Sequence, residues 1–437
     1  MKNNKRKPAM EITEYITRMY DKGLTTMSGG NLSVRGVDNS IWVTPGSKDK
    51  ANLIPEDIMH VYTDGRIEGN TKVTSEFVVH KAVLESRKDC NAVLHAHSPI
   101  IIGFSAARIK PNTRLLASAY KSIGDRMTIS PYQRAGSPEL AKETVKGLSG
   151  DNKVTILENH GLFITDKDMS GCYEKLEIVE KLGKVELQSR IITDNNVQLS
   201  DSDIEKLNSY SSPELHTYKP VEWSHSEIEI GFKICELMKR MYNRDIITSS
   251  TGAMSVKLDE ETIIITPRHF DADNLQVEDL VLIKNNMAEE SKVPSEEIFM
   301  HMEIYRENPE LKTIITGVPT YLMSYAVTDK TFFSESLWEA YWLLRKVPTI
   351  PFGIGEEFNR QVAKAIGRNT PTLLIQNCSY IVTSNDIMDA YDKIEVAEST
   401  AKGIIMTNII AKPAEVEQEV IDYYDSYISK YLYGEND

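Results

Sequence analysis

The chain has 437 residues, 41% hydrophobic and 26% charged, with 23 Gly and 17 Pro; this excludes fibrous, low-complexity and wholly disordered classes and leaves room for two separate cores. Its 50 Lys and Arg against 64 Asp and Glu set a net charge of −14, a field that disfavours nucleic acid and anionic membrane as partners. The single basic cluster, MKNNKRK at the start, has neither interleaved aromatics nor amphipathic spacing and reads as a solvated tail.

Behind it, EITEYITRMYDKG has the spacing of an amphipathic helix. After a Gly/Ser turn, the runs LSVRG, SIWVTPG and IMHVY read as short strands separated by turn residues. SEFVVHKAVLESR predicts a helix whose apolar stripe is Val78, Val79, Ala82 and Val83, and NAVLHAH predicts the strand that follows. PIIIGFSAA at 99–107 is far shorter than the ~20 apolar residues of a membrane helix and is broken by Pro, Gly and Ser. TVKGLSG closes a further helix, VTILENHGLFIT predicts a strand pair or bend, and DMSGCYEKLEIVEKLGKVELQSRII predicts a long helix. Strands interleaved with helices predict an α/β or α+β sandwich with helices on the faces of a sheet. Cys90, Cys172, Cys235 and Cys378 form no CxxC pair, and Met1 leads into polar residues, so a cytoplasmic protein with reduced thiols is expected.

The second half repeats the first. MYDKG at 19–23 recurs as MYNRD at 241–245, SGGNLSV at 28–34 as STGAMSV at 250–256, TPGSKD at 44–49 as TPRHFD at 266–271, and PEDIMHV at 55–61 as VEDLVLI at 277–283, all at one constant offset. FVVHKAVLE at 77–85 pairs with IFMHMEIYR at 298–306, and ILENHG at 156–161 with LIQNCS at 374–379, the offset drifting as loop insertions and deletions require. Residues 8–204 and 224–432 are accordingly read as tandem domains, joined by the Ser-, Asp- and Pro-bearing linker 205–223.

The chemistry concentrates in the first copy. In VLHAHS, His95 and His97 stand at i and i+2, so in an extended strand both imidazoles leave the same face and can converge on one ion. His160 in ILENHGLF, at a strand end before a Gly, is the natural third ligand, and Glu76 opens a helix nearby in sequence pattern. The repeat is an internal control: His95, His97 and His160 become Thr316, Val318 and Cys378, whereas Glu76 persists as Glu297. Loss or absence of one metal site would change all three ligands together. His80 and its counterpart His301 survive in both copies, which favours a packing or supporting role over ligation.

In this order and spacing, SGGNLSVR, the TPGS turn, the TSE helix start, LHAHS and ENHGLF resemble the class II aldolase/adducin family, whose catalytic members include zinc-dependent L-fuculose-phosphate and L-rhamnulose-phosphate aldolases. The resemblance implies two tandem α/β/α domains, each a mostly antiparallel sheet with helices on its faces, the second lacking the metal histidines. It implies one Zn2+ per chain, held by His95, His97 and His160 with Glu76 as a further ligand, Glu76 as general acid/base, and Tyr120 as hydroxyl donor to an aldehyde oxygen. A phosphate pocket falls on Ser28, Gly30, Asn31, Gly46, Ser47, Thr74 and Ser75, where small residues and helix-start N–H groups admit an anion. The implied activity is reversible cleavage of a ketose 1-phosphate to dihydroxyacetone phosphate and an aldehyde, with a small sugar phosphate as partner and no nucleic acid or membrane. Family epimerases and decarboxylases, or an adducin-like interaction module, are the alternatives. Family aldolases resemble four-fold tetramers, so a homo-oligomer is implied, two tandem chains reproducing a pseudo-tetramer of domains.

Overall fold

The computed structural model describes residues 7–414 and 416–433; the MKNNKRK tail, Lys7 apart, lies outside the described residues. The chain divides into two compact units, residues 1–113 with 119–184, and residues 114–118 with 185–437. Among the described residues no helix is long and apolar enough to cross a membrane.

The first unit is built on eight strands: β1 (Asn31–Arg35), β2 (Ile41–Val43), β3 (Met59–Val61), β4 (Ile67–Glu68), β5 (Ala92–Ala96), β6 (Thr128–Ser130), β7 (Val154–Leu157) and β8 (Gly161–Asp166). They lie in the order β4-β3-β2-β1-β5-β8-β7-β6. All neighbours are antiparallel except β6 and β7. β5 is buried along its whole length, as a central strand covered on both faces must be. Its Val93 joins Val43, Met59, Val79, Val83, Leu84 and Phe163 in one cluster, each fully buried side chain worth about 1.5–3 kcal/mol in apolar transfer.

The helix Phe77–Ser86 lies on this cluster. Its buried face is Val79, His80, Val83 and Leu84, and not the stripe Val78, Val79, Ala82 and Val83 expected from apolar spacing. Val78 and Ala82 pack at the cluster's margin while polar His80 is fully enclosed. The reason is hydrogen bonding: side chains of β1 hold both ring nitrogens of His80, which offsets the cost of burying it. The helix ends where the Arg35 guanidinium, reaching from β1, gathers the carbonyls of Leu84, Arg87 and Cys90.

The second unit repeats the plan with β9 (Thr217–Tyr218), β10 (Ala253–Lys257), β11 (Thr262–Ile265), β12 (Val281–Lys284), β13 (Met287–Glu289), β14 (Thr313–Gly317), β15 (Thr349–Ile350), β16 (Thr372–Ile375) and β17 (Ser379–Ser384). The order β15-β16-β17-β14-β10-β11-β12-β13-β9 is that of the first sheet plus one edge strand. Register is kept as well. Asn31 faces His95 where Ala253 faces Thr316, Ser33 faces Val43 where Ser255 faces Ile265, and Leu157 faces Gly161 where Ile375 faces Ser379. The duplication read from the sequence is therefore a duplication of topology and pairing.

The added strand comes from the segment 205–223. Thr217 and Tyr218 pair in parallel with Ala288 and Glu289, and the helix Asp201–Ser209 before them is closed by a Ser200–Asp203 capping box. Composition registers the polar turns of this stretch but not its edge pairing. Asn377, in the β16–β17 turn, donates to the carbonyls of Leu115 and Val197 and so gathers both into the second unit.

His301, on the helix Ile298–Glu307, is wholly buried between Ser255 and Thr316, 2.8 and 2.9 Å from its two ring nitrogens. Burial pushes its pKa down to about 3. A base whose folded pKa lies below its unfolded value stabilises above the unfolded value, near 6.5, and loses that stability as pH falls toward 3, by about 1.4 kcal/mol per pH unit. His301→Gln is therefore expected to be less stable at pH 7, with the gap to the parent shrinking by about 2 kcal/mol between pH 7 and pH 5. Urea unfolding at the two pH values measures this, and parallel pH slopes would contradict it.

Candidate metal centre

The centre forms where β1, β5 and β8 run side by side. His95 on β5 is flanked by Asn31 of β1 on one side and Phe163 of β8 on the other. Its Nδ1 lies 2.9 Å from the Leu162 carbonyl oxygen, an acceptor only, so Nδ1 carries a proton and Nε2 points inward. The ring stacks on Phe163, centroids 4.3 Å apart at 18°, which fixes its plane.

His97 stands one residue past the end of β5, and its Nε2 is 2.9 Å from Nε2 of His95, as the i, i+2 spacing predicts. His160 closes the set from the turn between β7 and β8, where Asn159 takes the left-handed conformation at φ 54°. Ser105 pins that turn by accepting from the His160 N–H at 2.9 Å and donating to the Leu157 carbonyl at 2.6 Å. One ligand atom from each of the three histidines lies within 4.8 Å of the others.

Glu76 immediately precedes the helix Phe77–Ser86 and is 5% exposed. Its Oε2 is 3.0 Å from His95 Nε2 and accepts from Asn31 Nδ2 at 2.9 Å. Its Oε1, 3.4 Å from His160 Nε2, has no hydrogen-bond partner although it is buried. Burial alone would raise the Glu76 carboxyl, but His95, Asn31 and His160 together hold it well below the usual carboxylate range. Burial, helped by neighbouring His95, lowers His97 and His160 to about 4, so both are neutral donors at pH 7.

These features fit a divalent cation. Nε2 of His95 and Nε2 of His97 face each other at 2.9 Å with a carboxylate beside them, a grouping of lone pairs that only a positive charge reconciles. The unpartnered Oε1 is a further acceptor toward the same space. Three imidazoles with a carboxylate are borderline-soft donors suited to first-row ions.

Behind Glu76 lies a chain that motif spacing did not disclose. Asn31 Oδ1 is hydrogen-bonded to His80 Nε2, and His80 Nδ1 is 2.7 Å from Ser33 Oγ. The only sequence signal was the survival of His80 and Ser33 as His301 and Ser255.

The other expected residues divide. Gly46 N–H donates to the Lys72 carbonyl at 2.9 Å and Thr74 N–H to Thr44 at 3.4 Å, so the TPGS turn lies against the TSE helix start. Ser28, Ser47 and Ser75 are exposed beside them, while Thr74 is buried. Gly30, at φ 66°, leaves no room for a Cβ against Thr25 Oγ1 and the His95 carbonyl. Asn31 is 5% exposed and commits its amide to Glu76 and His80. Tyr120 is half-buried on the helix Ala117–Ile123, and no described contact joins its side chain to the histidines or Glu76.

A duplicated α/β unit with a three-histidine, one-glutamate cluster in its first copy is the class of protein that the fold and the site define. The chain belongs to the class II aldolase and adducin family: the model for the class II aldolase and adducin N-terminal domain matches residues 10–187 and again 232–405. It is 31% identical over 188 residues to the 3-oxo-tetronate 4-phosphate decarboxylase of Haemophilus influenzae, covering 41% of this chain and 89% of that one. It is 33% identical over 182 residues to the L-fuculose phosphate aldolase of Methanocaldococcus jannaschii, covering 42% and 97%. Among solved structures it is similar to YgbL from Escherichia coli, with 24% identity, a TM-score of 0.43, and 47% and 99% of the two chains covered.

Purified protein is expected to carry one equivalent of divalent metal per chain, and the His95→Ala, His97→Ala double variant none. Elemental analysis decides, and undiminished metal in the double variant would remove the centre from these residues. A Cβ at Gly161 would collide with the Ala96 carbonyl and stand 2.9 Å from His97 Cδ2. Gly161→Ala is therefore expected to cost about 1–3 kcal/mol in denaturant melts and to lower metal content.

Proposed function

We propose that the first domain is a zinc-dependent aldolase that cleaves a ketose 1-phosphate reversibly to dihydroxyacetone phosphate and an aldehyde. The observation that carries this reading is the buried Glu76 carboxylate, within 3.0 and 3.4 Å of two of three converging histidines. His95, His97 and His160 would hold the ion, with Glu76 beside it. When bound, the ion supplies Lewis-acid polarisation of the substrate carbonyl. Glu76, anionic and with Oε1 uncommitted, would take the proton from the carbon beside that carbonyl in condensation while the Tyr120 hydroxyl protonates the aldehyde oxygen; in cleavage the protonated Glu76 returns its proton to that carbon and Tyr120 receives the proton of the hydroxyl that becomes the aldehyde.

The anion would sit on Gly30, Gly46, Ser47, Thr74 and Ser75 with Ser28. The backbone bonds between the TPGS and TSE segments support one shared pocket, beside the start of a ten-residue helix. On a chain of net charge −14, such N–H groups and the ion would provide the local positive field a sugar phosphate needs. Residues 224–432 lack the metal histidines, and we read that copy as structural, in a cytoplasmic homo-oligomer.

The 31% identity to a decarboxylase favours a second reading. There the same centre would polarise a 3-oxo-acid phosphate and the leaving carbon would depart as CO2.

The test is to incubate zinc-loaded protein with a panel of ketose 1-phosphates and 3-oxo-acid 4-phosphates, following dihydroxyacetone phosphate and CO2. Dihydroxyacetone phosphate released from a ketose 1-phosphate without CO2, at a rate that falls about 10²- to 10⁴-fold in Glu76→Gln, supports the aldolase. CO2 released together with dihydroxyacetone phosphate from a 3-oxo-acid 4-phosphate, with no product from any ketose 1-phosphate, shifts the assignment to decarboxylation, and no product from either class overturns both.

A further inference from the structure

The chain of hydrogen bonds behind Glu76 has one satisfiable direction. The Glu76 carboxylate can only accept, so Asn31 must turn its NH2 toward Oε2 and its Oδ1 toward His80. Oδ1 is likewise only an acceptor, so His80 must carry its proton on Nε2. Nδ1 is then a bare lone pair and receives the Ser33 hydroxyl proton. Reversing any one link would set the Asn31 carbonyl against the carboxylate. His80 is wholly buried, and burial lowers its pKa to about 3, which leaves it the single proton this arrangement requires.

The second copy shows what happens when the middle link is gone. Ser255 still bonds to Nδ1 of His301, but Ala253 stands where Asn31 would be. Nε2 of His301 instead meets Thr316, the residue in the place of His95. Glu297, at the place of Glu76, is bonded to Ser295 at its own helix start and is only half-buried. A serine–histidine pair persists in both copies, but the carboxylate is gripped only where the asparagine joins them.

We propose that His80 is a positioning residue: acting through Asn31, it locks Oε2 of Glu76 so that Oε1 alone is presented to the reacting centre. This rests on the reading of Glu76 as the acid/base. In His80→Leu the ring's volume is largely kept but the Asn31 amide is free to rotate.

The test compares His80→Leu, Asn31→Ala, their double variant and His80→Gln, whose side-chain amide can still donate to Asn31. His80→Leu is expected to lower kcat about 10- to 100-fold, with KM changed less than about threefold and metal content unchanged. The double variant should be no slower than Asn31→Ala, because His80 acts only through that residue. His80→Gln should recover most of the rate, and it also serves if His80→Leu does not fold. Losses that multiply in the double variant, or a His80→Leu rate equal to the parent's, overturn the proposal. NMR of the Asn31 side-chain amide is independent of turnover: slow hydrogen exchange in the parent should become fast in His80→Leu. If the parent turns over no substrate, the functional reading fails while this readout still decides the relay; unchanged exchange overturns it.

Discussion

A carboxylate taken out of water must be given back, by charge and by hydrogen bonds, most of what hydration supplied. Glu76 is 5% exposed, and its surroundings follow from that requirement. Asn31 donates to Oε2 from β1, while the ring nitrogens of His95 on β5 and of His160 in the β7–β8 turn face Oε2 and Oε1, an arrangement that a cation would complete. The adjacency of these strands places the three side chains on one carboxylate. Each partner needs its own support: Leu162 and Phe163 for His95, Ser105 for the turn bearing His160, and His80 with Ser33 for Asn31. Rigidity at the centre is inherited from the sheet.

The two copies separate scaffold from chemistry. Strand order and register are common to both, and so is the buried helix histidine with its serine partner. Replacing His95 by Thr316 and Asn31 by Ala253 leaves the pairing intact, because the ladder is made by backbone N–H and C=O groups and not by these side chains. In the second copy the corresponding side chains bond to near neighbours instead, His301 to Thr316 and Glu297 to Ser295. The chemical difference between the copies is thus a set of side-chain replacements on one backbone.

The convergence of the three histidines was legible from sequence for two reasons. The i, i+2 histidines declare a strand face, and the second copy shows them replaced together. The helix Phe77–Ser86 was legible in its existence but not in its rotation, because apolar spacing counts His80 as polar and cannot see the hydrogen bonds that bury it. The family resemblance implies an anion pocket at Gly30 and Asn31 but says nothing of the Asn31 side-chain amide, which turns to the Glu76 carboxylate. The edge strand β9 escaped notice because a two-residue pairing in a polar segment has no periodicity to read.

By itself, the sequence determined the duplication, the α/β plan, the family and the identity of the converging histidines, since these depend on order, period and residue type along the chain. Only the tertiary structure decided which oxygen of Glu76 is engaged, which proton each ring nitrogen of His95 and His80 carries, and that Ser33, His80 and Asn31 form a line ending on the carboxylate. Those properties belong to pairings between residues far apart in sequence. They arise only when the register of β1 against β5 and the seating of one helix bring donors and acceptors within hydrogen-bond reach.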